Sequence, residues 1–173
     1  LYPVLPISCI RDNKAKGDEM KYLIISILMC TSLQASNLKL IGKSLLEFSV
    51  FQIDVYEISF YQGKNGQEEI HLDYKIDVDR KYSIAGWNRG LEKISTGGPK
   101  LKSKIEWILK YTYDYKKGDK VILRRINDKV SLIQNNKLIA QIHDKLIATI
   151  IFEPWIGKNP IDDNIKSELL GRN

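Results

Sequence analysis

Residues 116–171 read KKGDKVILRRINDKVSLIQNNKLIAQIHDKLIATIIFEPWIGKNPIDDNIKSELLG, and the order of apolar runs and breaks in them decides the fold. Gly118-Asp119 opens a run from Lys120 to Asn127, and two more runs follow, KVSLIQ and KLIAQI. The three predict short antiparallel strands. Asn135-Asn136 separates the last two, and asparagine reaches the left-handed region at small cost, so a two-residue hairpin is expected there. His143-Asp144 marks the exit. LIATIIFEPWIG is too continuously apolar to assign by period; it predicts a helix ending before Pro154, because proline disfavours the helical conformation in the residue preceding it. Phe152, Trp155 and Ile156 make an apolar corner that breaks at Gly157. Pro160 is then expected to start a last helix and Gly171 to follow its end, as proline's fixed φ and glycine's freedom favour.

Working upstream, Leu38 to Tyr61 carries Val50, Gln52 and Asp54 alternating with Phe51, Ile53 and Val55, which predicts two strands broken near Gly42 or Ser49. QGKNGQ supplies a turn, since Gly63 and Asn65-Gly66 tolerate positive φ. In EEIHLDYKIDV, Ile70, Leu72, Tyr74 and Ile76 fall on one face and Glu69, His71, Asp73 and Lys75 on the other, the pattern of a half-buried strand. Asp79 is expected to cap a helix from Arg80 to Ile94 whose apolar positions are Ile84, Trp87, Leu91 and Ile94. Gly97-Gly98 before Pro99 reads as a linker. A second helix is expected over Lys100 to Tyr113, with Leu101, Ile105, Ile108, Leu109 and Thr112 inward. Strands, two helices, three strands and two helices in that order predict an α+β domain: an antiparallel sheet covered on one face by helices. The gap between such layers is where small apolar ligands bind.

The N-terminal residues have a different character. MKYLIISILMCTSLQAS, residues 20–36, places Lys21 beside Met20, an apolar run from Tyr22 to Cys30 and small residues near Ala35, which predicts a signal peptide over 20–35 cleaved after Ala35. The run is shorter than the ~20 apolar residues of an ordinary membrane-spanning helix. Met29 occupies the place before Cys30 where a lipoprotein signal has a small residue, so no lipid anchor is expected. Residues 1–19 then form a non-structural upstream extension and residues 36–173 a single domain. Export would make the protein periplasmic or secreted. Cys9 and Cys30 both precede residue 36, so the expected mature chain contains no disulfide, cysteine–zinc site or thiol nucleophile. Removing the four basic and three acidic residues of positions 1–35 leaves 23 against 18, a net charge of +5. The lysines are scattered among acids, as at Lys116-Lys117 before Asp119, so the pattern is a solvated surface and not a nucleic-acid stripe. Weak association with an anionic cell envelope is compatible with that charge.

Gly118-Asp119, Asn135-Asn136, Trp155-Ile156-Gly157, Pro160 and Leu169-Leu170-Gly171 together resemble the C-terminal half of bacterial chalcone isomerase-like proteins. Upstream, IDVYEISFY resembles a strand of that family and GWNRGLEK its first helix, so the resemblance runs from about Leu40 to Gly171. It implies an open-faced β-sandwich, a large antiparallel sheet against a layer of helices with a cleft between. Plant enzymes of this family cyclise a chalcone with an arginine that steadies the phenolate and with a threonine and a tyrosine that arrange water and the ketone. A planar cation in a desolvated cleft is what such chemistry needs. Here Lys43 and Ser44 fall where the arginine belongs, and there is no arginine between Ser36 and Tyr74. The threonine position falls on Tyr56. Trp87-Asn88-Arg89 stand where the tyrosine belongs, with Tyr82 out of register. The resemblance therefore implies the fold without the catalytic residues, and no cofactor.

Other chemistry is excluded by spacing. His71 and His143 lie on different strands with no metal-site pattern and read as exposed strand histidines; Asp162-Asp163 sits at a helix start, where the dipole explains it. No phosphate loop and no nucleophile elbow is present in the sequence. A branch of the family holds fatty acids in its cleft, so the resemblance implies a small apolar ligand, with Lys43, Tyr56, Tyr74, Trp87 and Arg89 as candidates for lining the cleft. The alternatives are a structural or interaction protein of the cell envelope and, third, a chalcone-flavanone isomerase.

Overall fold

The computed structural model describes residues 38–48, 53–94 and 98–172. The expected extension, signal peptide and both cysteines lie outside these residues. Six strands, β1 (Lys39–Phe48), β2 (Ile53–Gln62), β3 (Gln67–Tyr74), β4 (Lys120–Ile126), β5 (Lys129–Gln134) and β6 (Lys137–His143), form one sheet in sequence order with every neighbour antiparallel. Between β3 and β4 run α1 (Arg80–Leu91) and α2 (Pro99–Lys110); after β6 come α3 (Lys145–Ile150), α4 (Glu153–Ile156) and α5 (Asp163–Leu169). This is the expected α+β open-faced β-sandwich.

The register explains which face is covered. Phe60, Ile70, Leu123, Leu132 and Ala140 stand side by side across five strands, and Ile58, Leu72 and Val121 form the next row. All eight are buried. Onto this face the helices bring Leu91, Ile105, Ile108, Ile147, Phe152, Trp155 and Leu169, which belong to the same apolar cluster. Phe152 meets Phe60 edge-on at 6.3 Å between ring centres. Arg125 clamps this corner from the sheet: its guanidinium lies 4.6 Å over the Phe152 ring, donates to the Ala148 carbonyl at 2.6 Å and pairs with Glu68.

Several boundaries differ from the sequence reading, each for a physical reason. Of the two expected break points, Gly42 does not interrupt the strand but lies inside β1 beside a register shift, whereas β1 ends at Phe48, next to the other, Ser49. A Cβ at Gly42 would fall 2.0 Å from the Glu168 carbonyl oxygen, so glycine there lets α5 rest directly on the strand. Ile76 lies beyond β3 and is 36% exposed. Asp79 occupies the position preceding α1, but its side chain makes no capping bond; Asp114 accepts from the Arg80 amide at 2.7 Å instead. A single 3-10 turn, Glu92–Ile94, continues α1, and Thr112 is buried beyond the end of α2. The apolar run ends its helix at Ile150 and starts another turn at Glu153, with Pro154 in its first turn, where a missing amide proton costs nothing. The last helix starts at Asp163 and not at Pro160, because the Asp162 carboxylate accepts from the Asn164 and Ile165 amides at 2.7 and 3.1 Å. The Asn135-Asn136 hairpin is as expected, both residues having positive φ.

The open face of the sheet holds one departure from the alternation rule. Glu69, expected toward solvent, is 1% exposed. Arg124, His71 and Gln67 cover it, at 2.5, 2.7 and 2.8 Å from its carboxylate oxygens. Burial pushes the Glu69 carboxyl up, but the hydrogen bonds from His71, Arg124 and Gln67 outweigh it and hold the group at about 2. His71 is accordingly half-buried and paired, not a free exposed histidine.

Candidate functional site

The helix layer does not close completely on the sheet. A cavity of about 910 Å³ remains between β1–β6 on one side and α1, α2, α4 and α5 on the other. Phe48, Ile53, Ile76, Tyr82 and Tyr113 line it while each keeps 36–66% of its area exposed, which marks the mouth. Deeper in, the wall is aromatic. Tyr74 stacks on Tyr115 at 4.4 Å and 21°, Tyr56 tilts against Tyr74 at 5.3 Å, and the Trp155 indole donates to the Tyr56 hydroxyl at 3.4 Å. Trp87 meets Trp155 edge-on at 5.3 Å and closes the wall on the helix side.

The chain builds this wall from distant segments. Tyr56 and Tyr74 are register partners on β2 and β3, which places their rings together on the covered face. Tyr115 is held beside them by a bridge between Val78 and Tyr115, whose amides and carbonyls exchange bonds at 2.8 and 2.9 Å. Trp155 reaches Tyr56 because the turn Glu153–Ile156 packs against α1, where Gly90 lies so close to Pro154 that a Cβ would meet the ring at 2.6 Å.

Of the five residues singled out in the sequence, Tyr56, Tyr74, Trp87 and Arg89 line this one cavity. Lys43 is not brought there. Its side chain projects from the opposite face of β1, where the ammonium pairs with Glu57 at 3.1 Å, and that bond holds its pKa above the usual lysine value. The wall position at this point of β1 is Ser44, 7% exposed, with its hydroxyl lacking a partner among the described residues. A buried hydroxyl without a partner costs roughly 1–3 kcal/mol. Sequence reasoning also missed Ser83, whose buried hydroxyl is likewise unpartnered, and Tyr115 and Trp155 as cavity residues. Tyr111, Tyr113 and Tyr115 also fit an extended ending to the second helix, which left its C-terminal boundary open in the sequence; the helix ends at Lys110.

Electrically the interior is quiet. Burial pushes the Tyr56 and Tyr115 phenols up to about 12 and Tyr74 well above 10. All three stay protonated across ordinary pH. Arg89, the one cation of the lining, is exposed and pairs with no carboxylate among the described residues. Among the described residues no three His, Cys, Asp or Glu side chains gather as metal ligands, and no helix is long and apolar enough to cross a membrane. The arrangement offers apolar volume, aromatic faces and neutral hydroxyls.

A family model described as chalcone isomerase-like matches residues 25–171. The fold is similar to the crystal structure of a fatty-acid binding protein from Arabidopsis thaliana, with a TM-score of 0.63 and 15% identity, over 78% of this chain and 87% of that one. At that identity the likeness concerns the fold. No curated protein matches the chain.

Proposed function

The chain belongs to the chalcone isomerase-like family, and from that premise we propose that it binds a small, largely apolar molecule of the fatty-acid kind in the cavity between sheet and helices, without turning it over. One observation carries the reading. A mouth edged by exposed apolar side chains leads into about 910 Å³ walled by aromatic rings, a volume within the range of small-molecule sites. That the similar structure is of a fatty-acid binding protein supports the ligand class. The non-catalytic part rests on Ser44 standing in the wall while Lys43 faces away, which leaves no fixed cation on β1 to stabilise a phenolate.

Native mass spectrometry of the protein purified from its own source, followed by titration with dodecanoic acid and dodecan-1-ol read by Trp87 and Trp155 fluorescence, tests the binding. A ligand-free mass and no response to either probe would overturn it. Adding a chalcone and following its absorbance tests the other half; loss above the spontaneous rate would make the protein an enzyme. We include export in the proposal, on the strength of Lys21, the apolar run from Tyr22 and Ala35. The N-terminal sequence of protein recovered from the periplasm or medium should begin near Ser36; a chain beginning before Met20 would remove export from the reading. The exposed rim also supports a second reading, contact with an envelope partner, which gains ground if the cavity accepts nothing.

A further inference from the structure

The lining of the cavity discriminates between head groups. Among the described residues Arg89 is its one cation, whereas Glu47, Asp77, Asp162 and Glu168 all contribute to the same lining. Lys116 pairs with Asp77 at 3.0 Å, which still leaves three carboxylates against one exposed guanidinium. An anion entering here meets net negative charge at the rim and, among the described residues, no buried cation beyond it. Neutral donors are what the interior supplies. Tyr74 and Tyr115 are each 7% exposed and line the cavity with stacked rings; the Tyr115 oxygen takes a hydrogen bond from the Tyr113 backbone, and the buried hydroxyls of Ser44 and Ser83 in the same lining have no hydrogen-bond partner among the described residues.

Buried polar groups in folded proteins are almost always paired, so the unpartnered Ser44 and Ser83 hydroxyls together with the adjacent Tyr74 and Tyr115 phenols, all lining one apolar cavity, are positioned for an oxygen that arrives with a ligand. We propose that the cavity selects apolar molecules whose polar end is an uncharged oxygen group, a hydroxyl, a ketone or ester carbonyl or a protonated carboxyl, held by Tyr74 and Tyr115, and that it disfavours ionised carboxylates. This rests on the reading of the cavity as a binding site and narrows its ligand class. Because burial keeps both phenols protonated to high pH, the donors do not change between pH 5 and pH 8. Any pH dependence of binding then comes from the ligand or from the facing carboxylates Glu47, Asp77, Asp162 and Glu168, and not from the tyrosines.

The test compares dodecan-1-ol with dodecanoate on the purified full chain, by calorimetry and by indole fluorescence. At pH 8 the alcohol is expected to bind at least about tenfold more tightly, since a buried unpaired carboxylate is far costlier than a hydroxyl. Dodecanoate should approach the alcohol as the pH falls toward about 5 and its acid form grows. Tyr74→Phe and Tyr115→Phe keep the rings and remove only the hydroxyls; each should weaken the alcohol about 2- to 10-fold, and Tyr74→Phe should do so without lowering the unfolding temperature. Dodecanoate binding as tightly as the alcohol at pH 8, with Arg89→Gln weakening it and the phenylalanine variants silent, would overturn the proposal in favour of a carboxylate held at the mouth. Failure of both probes to bind would instead bring down the binding function itself.

Discussion

At the scale of single residues, Gly42 and Glu69 make the sharpest demands. Gly42→Ala would drive a Cβ into the backbone of Glu168 and Leu169, neither of which can swing aside, and should destabilise the fold by about 3 kcal/mol in urea unfolding. Glu69 sets an acid limit. Its folded pKa of about 2 lies below the ~4.3 of an unfolded glutamate, so its contribution is complete above that value and disappears as pH falls toward 2. Glu69→Gln should therefore cost about 2–3 kcal/mol at pH 7, and the gap between variant and parent should close by about pH 2 in urea midpoints measured across that range. Neither residue's role could be read from the sequence. Alternation places Glu69 outside correctly, but it cannot show that Arg124, His71 and Gln67 fold over it. Gly42 looked like a breaker because a strand glycine and a turn glycine are the same letter until α5 is seen resting on one.

At the scale of elements, helix ends decide more than helix interiors. Asp114 caps α1 from a segment more than thirty residues away, while Asp79, at the expected position, makes no capping bond. Asp114→Ala should cost about 1 kcal/mol and Asp79→Ala a few tenths or less, a contrast that thermal unfolding of the two variants resolves. The strands of the second half were legible from local pattern, because hairpins with left-handed asparagines are set by the residues themselves. Helix starts were less so. Pro160 has the φ of a first helical residue, but the chain uses two further residues to turn before the Asp162 carboxylate can reach its amides. The choice between Lys43 and Ser44 as the inward residue was a question of register, and a one-residue slip in a strand exchanges the two faces.

For the whole molecule, the resemblance carried the architecture and the cavity was visible only as the expectation of a gap. Its volume depends on how far the helix layer stands off the sheet, which Trp155 on Tyr56 and Pro154 on Gly90 fix together. Apolar space with unpartnered hydroxyls is a standing cost to the empty fold, so occupancy should register in global stability. At a ligand concentration 100 times Kd, the unfolding free energy should rise by about 2.7 kcal/mol, measured by urea titration with and without the bound alcohol. Resting α5 on β1 has a further consequence for the order of events during synthesis. The first edge of the sheet leaves the ribosome well before the segment that roofs it, so that flank must wait bare until α5 has emerged as well. The seam between β1 and α5 is thus a joint that is sealed late, and it is where a nascent copy is open to the wrong neighbour.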